Sequence, residues 1–374
     1  MSQENQIAPW LAPLWNGIDF AKFPSAILLH GQSGVGKFAF SIELAKALLC
    51  ENSRAAIKPC NACEACHWFN TGNHPDFISL VPETHRKLLP HADYDGDEGL
   101  KKVKVSRDDG DSEVSEKKEK KNISIEEARQ AIENLSIGSH RGGNRVILIY
   151  PLEMLRSDSA NTLLKSLEEP PANTIFILIA DRVDRVLPTI RSRCRLLTAP
   201  RPDRTQGLAW IKTQLNNISG LKISDADIET IYDEQGGAPF SVFDSLVARH
   251  HKDDKDEFTI AIQASRYLLQ SMSQGVRINW LDAAEKTYKA QYAFLLSSMQ
   301  RWVSDLQSVS QGGDARYYPK HLVTLQSLSK SADIQKIHRF WKNLVQARRH
   351  ENHPLANRIQ LEALLSQYQQ IFGS

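Results

Sequence analysis

Residues 30 to 38 read "HGQSGVGKF", which follows the phosphate-loop pattern G-x-x-x-x-G-K-[ST] through Gly31, Gly36 and Lys37, with Gly34 a further loop glycine, and departs from it at Phe38. The apolar run "FPSAILLHG" before it predicts a strand. After it, "KFAFSIELAKALLC" repeats apolar residues at helical spacing through Phe38, Phe40, Ile42, Leu44 and Leu48. Strand, glycine loop and helix in that order predict a nucleotide-binding type of α/β unit. Phe38, however, stands where a hydroxyl would hold magnesium, and an aromatic ring cannot coordinate a metal. Ser41 is no substitute, because three further residues place it about 4.5 Å deeper along the helix axis.

Working outward, "DFISLV", "RVILIY" and "TIFILIA" predict three more strands with helices between them. Ser124 and Glu127 form a capping box that opens the predicted helix "SIEEARQAIENL". "SANTLLKSLEEPP" predicts a helix stopped by Pro170 and Pro171. Apolar strands alternating with helices predict a parallel, doubly wound sheet over residues 1–200. The end of "RVILIY" is where acidic residues usually hold magnesium and orient water, yet the chain there reads Tyr150 and Pro151. Glu153 lies past the proline and needs an unusual turn to be recruited. Two parts of a magnesium site are thus missing together, which argues against hydrolysis; whether the loop still binds a nucleotide stays open.

Four of the five cysteines, Cys50, Cys60, Cys63 and Cys66, fall in the spacing C-x9-C-x2-C-x2-C. Two nested C-x2-C steps suit tetrahedral zinc, and four thiolates leave no open position, so the site is predicted to be structural. His67 and His74 are spare candidates. A zinc-dependent DNA reader is a rival use of the same metal, but nearby "ENSRAAIKP" offers only Arg54 and Lys58 as cations.

The segment 93–122 mixes both charge signs and lacks core residues, which predicts a disordered surface insertion. From Pro200 the strand signals stop. A small helical domain is predicted over 201–250 and a larger helical domain over 256–374, with Trp280, Tyr288, Tyr292, Phe294, Leu295, Trp302 and Leu306 as core. The length of 374 residues suits such a multi-domain chain. The net charge of +2 neither requires nor excludes a nucleic-acid partner. With no long apolar run and no apolar leader, the expected location is the cytoplasm, without membrane contact.

The degenerate loop, the cysteine insertion after the first helix, "NHPDF", "NTLLKSLEEPP" and "IRSRCRLL" together resemble the delta-prime subunits of the bacterial DNA polymerase III clamp loader, in order and spacing over most of residues 20–200. The resemblance implies a P-loop ATPase-type, AAA+-like α/β domain with a zinc insertion, followed by a small helical lid and an all-α collar. It implies a hetero-oligomeric ring with ATP-binding clamp-loader subunits and the clamp-opening delta subunit, acting on the sliding clamp and primer-template DNA during replication. Within that ring it implies a rigid, ATP-inactive stator whose Arg193 serves a neighbour's ATP as an arginine finger in trans. Cys194 is then a small packing residue. Active relatives carry a nucleotide-sensing arginine at a position that aligns near Phe240, where no cation stands here. A weakly hydrolysing clamp-loader subunit is the alternative within the family.

Overall fold

A computed structural model describes residues 7–52, 57–82, 86, 89–90, 141–155, 157–218, 223–250, 257–349 and 357–372. The capping-box helix and the charged insertion lie outside these residues. Two compact units meet in sequence at Arg201 and Pro202.

The first unit is built on five strands, β1 Ala26–His30, β2 Phe77–Leu80, β3 Arg145–Ile149, β4 Thr174–Ala180 and β5 Arg195–Thr198. All neighbours pair in parallel, in the order β2-β3-β4-β1-β5. Its helices are α1 Ala12–Asn16, α2 Lys37–Leu49, α3 Glu64–Asn70, α4 Ser157–Glu168 and α5 Pro188–Arg191. Strands β3 and β4 are buried at every position, as an interior parallel strand covered on both faces must be. The core on one face joins Leu28, Ile147, Ile149, Phe176 and Leu178 to Leu163 and Leu167 of α4.

The fifth strand differs from the four apolar runs. Arg195 to Thr198 is largely exposed and lies at the sheet edge, so it lacks the continuous apolar signature of its neighbours. Its pairing with β1, Ile27 opposite Arg195 and His30 opposite Thr198, defines it where composition does not.

The second unit is helical: α6 Arg204–Asn216, α7 Asp225–Glu234, α8 Pro239–His250, α9 Glu257–Met272, α10 Trp280–Thr287, α11 Tyr292–Ser310, α12 Leu322–Ser329, α13 Ile334–Arg349 and α14 Asn357–Gln369. One apolar cluster gathers α6, α7 and α8 around Ile211, Ile231, Tyr232 and Val242. Another joins α9 to α14 around Leu268, Leu295, Trp302, Leu306, Leu344 and Leu365. Of the aromatic stripe, Tyr292 and Trp302 are in this core, while Trp280 and Tyr288 pack partly buried against it. Trp302 donates its indole N–H to the Tyr368 hydroxyl, which donates to the Met272 carbonyl, so both buried polar groups are satisfied. Among the described residues no helix is long and apolar enough to cross a membrane.

Candidate functional site

The glycine loop leaves the C-terminal end of β1, a strand whose partners are β4 on one side and β5 on the other. Ligands of open α/β sheets bind at such strand ends. Gly31 has φ +155°, and a Cβ there would stand 3.1 Å from the Ala199 carbonyl oxygen. Gly36 caps α2 in the left-handed region with φ +91°. The Trp10 indole donates to the Val35 carbonyl at 2.9 Å and fixes the loop from outside.

Lys37 opens α2 with its side chain turned back into the loop. It is 3 % exposed, and its Nζ donates to the carbonyls of Gly31 at 2.9 Å and Gln32 at 2.7 Å. The third partner is Asp181, directly after β4, whose Oδ1 lies 2.5 Å away. Two donors of the buried ammonium are thus met by backbone carbonyls, and its charge is paired with a carboxylate of the same chain. Asp181 escaped the sequence reading; an acid placed immediately after the run "TIFILIA" was the available signal.

Where a magnesium site would need its two protein ligands, there are two rings. Phe38 packs on Tyr150 at a centroid distance of 5.1 Å and an angle of 39°. The Tyr150 hydroxyl points to Asp181 Oδ2 at 3.4 Å. Glu153 does return toward the strand ends, through the turn Leu152–Met154, but its Oε1 accepts the backbone N–H groups of Asp181 at 3.0 Å and Arg182 at 2.9 Å. Burial raises its carboxyl above the usual range, and the nearby Asp181 adds to the effect against those two bonds. Ser41 is fully buried in α2.

Arg193 lies toward the opposite end of the strands from the loop. It precedes β5, while the loop follows β1, and the two strands run parallel with Arg195 beside Ile27. The three steps from Ile27 to His30 alone span about 10 Å, which separates Arg193 from its own loop along the strands. Its guanidinium pairs with Glu168 at the end of α4 and donates to the Thr189 carbonyl at 2.8 Å and the Ser192 hydroxyl at 3.4 Å. The side chain is 34 % exposed. Cys194 is half-buried against the sheet core rather than fully enclosed, and burial pushes its thiol up to about 11.

The four cysteines converge. The sulfurs of Cys50, Cys60, Cys63 and Cys66 all lie within 4.8 Å of one another, with Cys50 to Cys63 and Cys60 to Cys66 both at 4.0 Å. A tetrahedron with metal–sulfur bonds of about 2.3 Å has edges of about 3.8 Å, so the set can hold a metal ion. Backbone N–H groups of Cys60, Cys63 and Cys66 point at the sulfurs of Cys50, Cys60 and Cys63, as thiolates require. Burial opposes ionisation of Cys60, but the amides of Ala62 and Cys63 and the neighbouring thiols bring it down to about 6; burial pushes Cys66 and Cys50 up. His67 is exposed and His74 is buried with its Nδ1 accepting the Asp76 N–H, so neither belongs to the metal-ligating group. Arg141 ties the module to the unit: it pairs with Glu51 and Glu64, lies 4.1 Å over the Trp68 ring, and donates its backbone N–H to Asp76. In the second unit, Phe240 stacks on Trp210 at 4.4 Å.

The family model for the DNA polymerase III, delta subunit matches residues 10–203, the unit that carries the loop, the cysteines and Arg193. The chain belongs to this family. It is similar to the DNA polymerase III subunit delta' of Pseudomonas aeruginosa, with 31 % identity over 210 residues that cover 56 % of this chain and 53 % of that protein. The delta' of Escherichia coli K12 is 28 % identical over 216 residues, covering 55 % and 53 %. The tau subunit of Salmonella typhimurium is 29 % identical over 184 residues, covering 49 % and 23 %. The chain spans about half the length of the curated delta' relatives it matches. Among solved structures, a gamma-subunit-related protein from Thermotoga maritima aligns over 97 % of this chain and 99 % of its own, at 13 % identity and a TM-score of 0.37.

Proposed function

We propose that the chain is the delta-prime stator of a DNA polymerase III clamp loader: a ring subunit that hydrolyses no ATP, and that helps ATP-driven sister subunits and the clamp-opening delta subunit place the sliding clamp on primed DNA. The observation that carries this reading is the Phe38–Tyr150 ring pair at the two positions where magnesium would need oxygen ligands. Without the metal, a phosphate loop supplies attraction but little stabilisation of charge on a transferring phosphoryl group. Lys37 adds to this, since it is buried, donates to two carbonyls and is ion-paired with Asp181.

Arg193 is the residue we assign to nucleotide chemistry. A planar guanidinium at an exposed edge, held by Glu168 and Thr189, suits insertion beside a phosphate of an adjacent subunit. Its place at the opposite strand end from Lys37 supports action in trans. Zinc is the metal assigned to Cys50, Cys60, Cys63 and Cys66, where it would cross-link the segment after α2 to α3 and take no part in a reaction.

The purified chain, assayed with magnesium and ATP, is expected to show no hydrolysis above a blank. Turnover at the rate of a motor subunit that Lys37→Ala abolishes would replace the stator reading with that of an active ATPase.

A further inference from the structure

The chain as a whole carries a net charge of only +2, but residues 312–349 hold eight lysines and arginines against two acids, Asp314 and Asp333. Helix α13 within that segment has no acid at all. Its buried side is Ile337, Phe340 and Leu344. At 100° per residue, Gln335, His338, Arg339, Lys342, Gln346 and Arg349 fall on the other side, and all six are exposed. Among the described residues, no carboxylate pairs with Arg339, Lys342 or Arg349. Asp333 is committed elsewhere, its Oδ1 accepting the N–H groups of Gln335 and Lys336 at the start of α13.

Beside this basic stripe runs a cleft of ≈ 220 Å³ between α11 and α13, lined by Ser297, Gln300, Arg301, Ser304, Tyr317 and Trp341. The four α11 residues are spaced i, i+3, i+4, i+7, so they form one polar strip along the floor. Tyr317 and Trp341 bring the aromatic rings. The cleft is held in shape from below: buried Asp305 accepts the N–H groups of Arg316 at 2.9 Å, Tyr317 at 2.9 Å and Tyr318 at 2.7 Å. Arg301 is anchored to the Glu234 carbonyl at 2.6 Å, and Arg348 to the Ser297 hydroxyl at 2.6 Å. Arg316 stacks over the Tyr317 ring at 5.5 Å.

We propose that this face of the second unit binds single-stranded nucleic acid, with Arg339, Lys342 and Arg349 on the phosphodiester backbone and one unstacked base taken between Tyr317 and Trp341 above Arg301. Regularly spaced cations alone would also suit an acidic polypeptide. The small cleft with two aromatic rings and amide and hydroxyl donors is what distinguishes the two, because it matches one planar base with polar edges and offers no seat for a helix or for a row of carboxylates. The proposal concerns the helical unit and is independent of the ATPase reading above.

The test is fluorescence-anisotropy titration of the full-length chain with a labelled 20-nucleotide oligo-dT at 50 and 200 mM salt, with an equal-length duplex and polyglutamate as competitors. The wild type is expected to bind oligo-dT, more weakly at high salt, with polyglutamate a poor competitor. In the Arg339→Ala/Lys342→Ala/Arg349→Ala variant, three lost phosphate contacts reduce the salt slope by about 2, so its affinity loss between the two salt concentrations is about twentyfold smaller than that of the wild type. All three residues are exposed, and an unchanged melting temperature verifies the fold. Tyr317→Leu is expected to weaken oligo-dT more than duplex. An absence of oligo-dT binding by the wild type, an unchanged salt slope in the triple variant, or displacement by polyglutamate as effective as by oligo-dT would each overturn the proposal.

Discussion

Lys37 and Arg193 are cations at opposite ends of two neighbouring strands of one parallel sheet, and they are held in opposite ways. Lys37 is buried with its side chain only 2 % exposed, donates to two carbonyls and is ion-paired with Asp181. Arg193 is 34 % exposed and rests on a half-exposed Glu168 and a carbonyl. A buried cation paired within the chain is costly to offer to a phosphate, because the buried pair must first be broken. A guanidinium on a surface ion pair is released at little cost, because such pairs are worth at most about 1 kcal/mol. Under the proposed function, the motif lysine serves the fold and the arginine outside the motif serves a neighbour's nucleotide.

The largest effect is expected at the cysteine cluster, on which the shape of the first unit depends. Chelation of the metal, or Cys60→Ala with Cys63→Ala, is expected to remove one zinc per chain and unfold the segment around residues 57–70, seen as loss of hydrogen-exchange protection there. Wild-type protein that purifies without metal would contradict this. Next in size is Asp181→Ala, which leaves the Lys37 ammonium buried and unpaired. A loss of about 3 kcal/mol in urea unfolding is expected, at the low end for broken buried pairs because Asp181 is 20 % exposed. Lys37→Met with Asp181→Asn should recover most of that loss. If Asp181→Ala costs no more than a surface substitution, Lys37 is not held as described.

Phe38→Thr restores the hydroxyl that the motif requires and removes one ring of the stack. It is expected to cost about 1–2 kcal/mol through lost packing. No hydrolysis should appear, since Tyr150 still fills the second position. The smallest effect belongs to Glu153→Gln. The raised carboxyl of Glu153 is protonated in the folded chain at a pH where the unfolded chain is already ionised, so its contribution to stability falls as pH rises from about 4.5 through the raised folded value. The glutamine variant keeps an acceptor for the amides of Asp181 and Arg182 and should flatten that part of the pH–stability curve. An unchanged curve would remove Glu153 as its source.

Much of the first unit was legible in advance because its signals are local. The loop glycines, the helix after them and three fully apolar strands are written in contiguous residues, and the cysteine spacing already specifies a tetrahedral bite. What escaped depends on distance in sequence. Phe38 and Tyr150 each read as a missing ligand, but their contact joins residues 112 positions apart and appears only when β1 and β3 are placed in one sheet. Asp181 reads as an ordinary acid until β4 lies beside β1. Strand β5 carries two arginine-flanked leucines at an exposed edge, so its strand character comes from pairing rather than composition. The separation of Arg193 from the loop follows from the same register.

The most direct test of the account is ATP hydrolysis by the clamp loader reconstituted with DNA and clamp, comparing wild-type chain with Arg193→Ala and Lys37→Ala. Arg193→Ala is expected to lower hydrolysis at the neighbouring subunit's site by about a thousandfold while the ring still assembles, and Lys37→Ala to leave the rate within about twofold of wild type. A complex whose rate is unchanged by Arg193→Ala, or is abolished by Lys37→Ala, would contradict it.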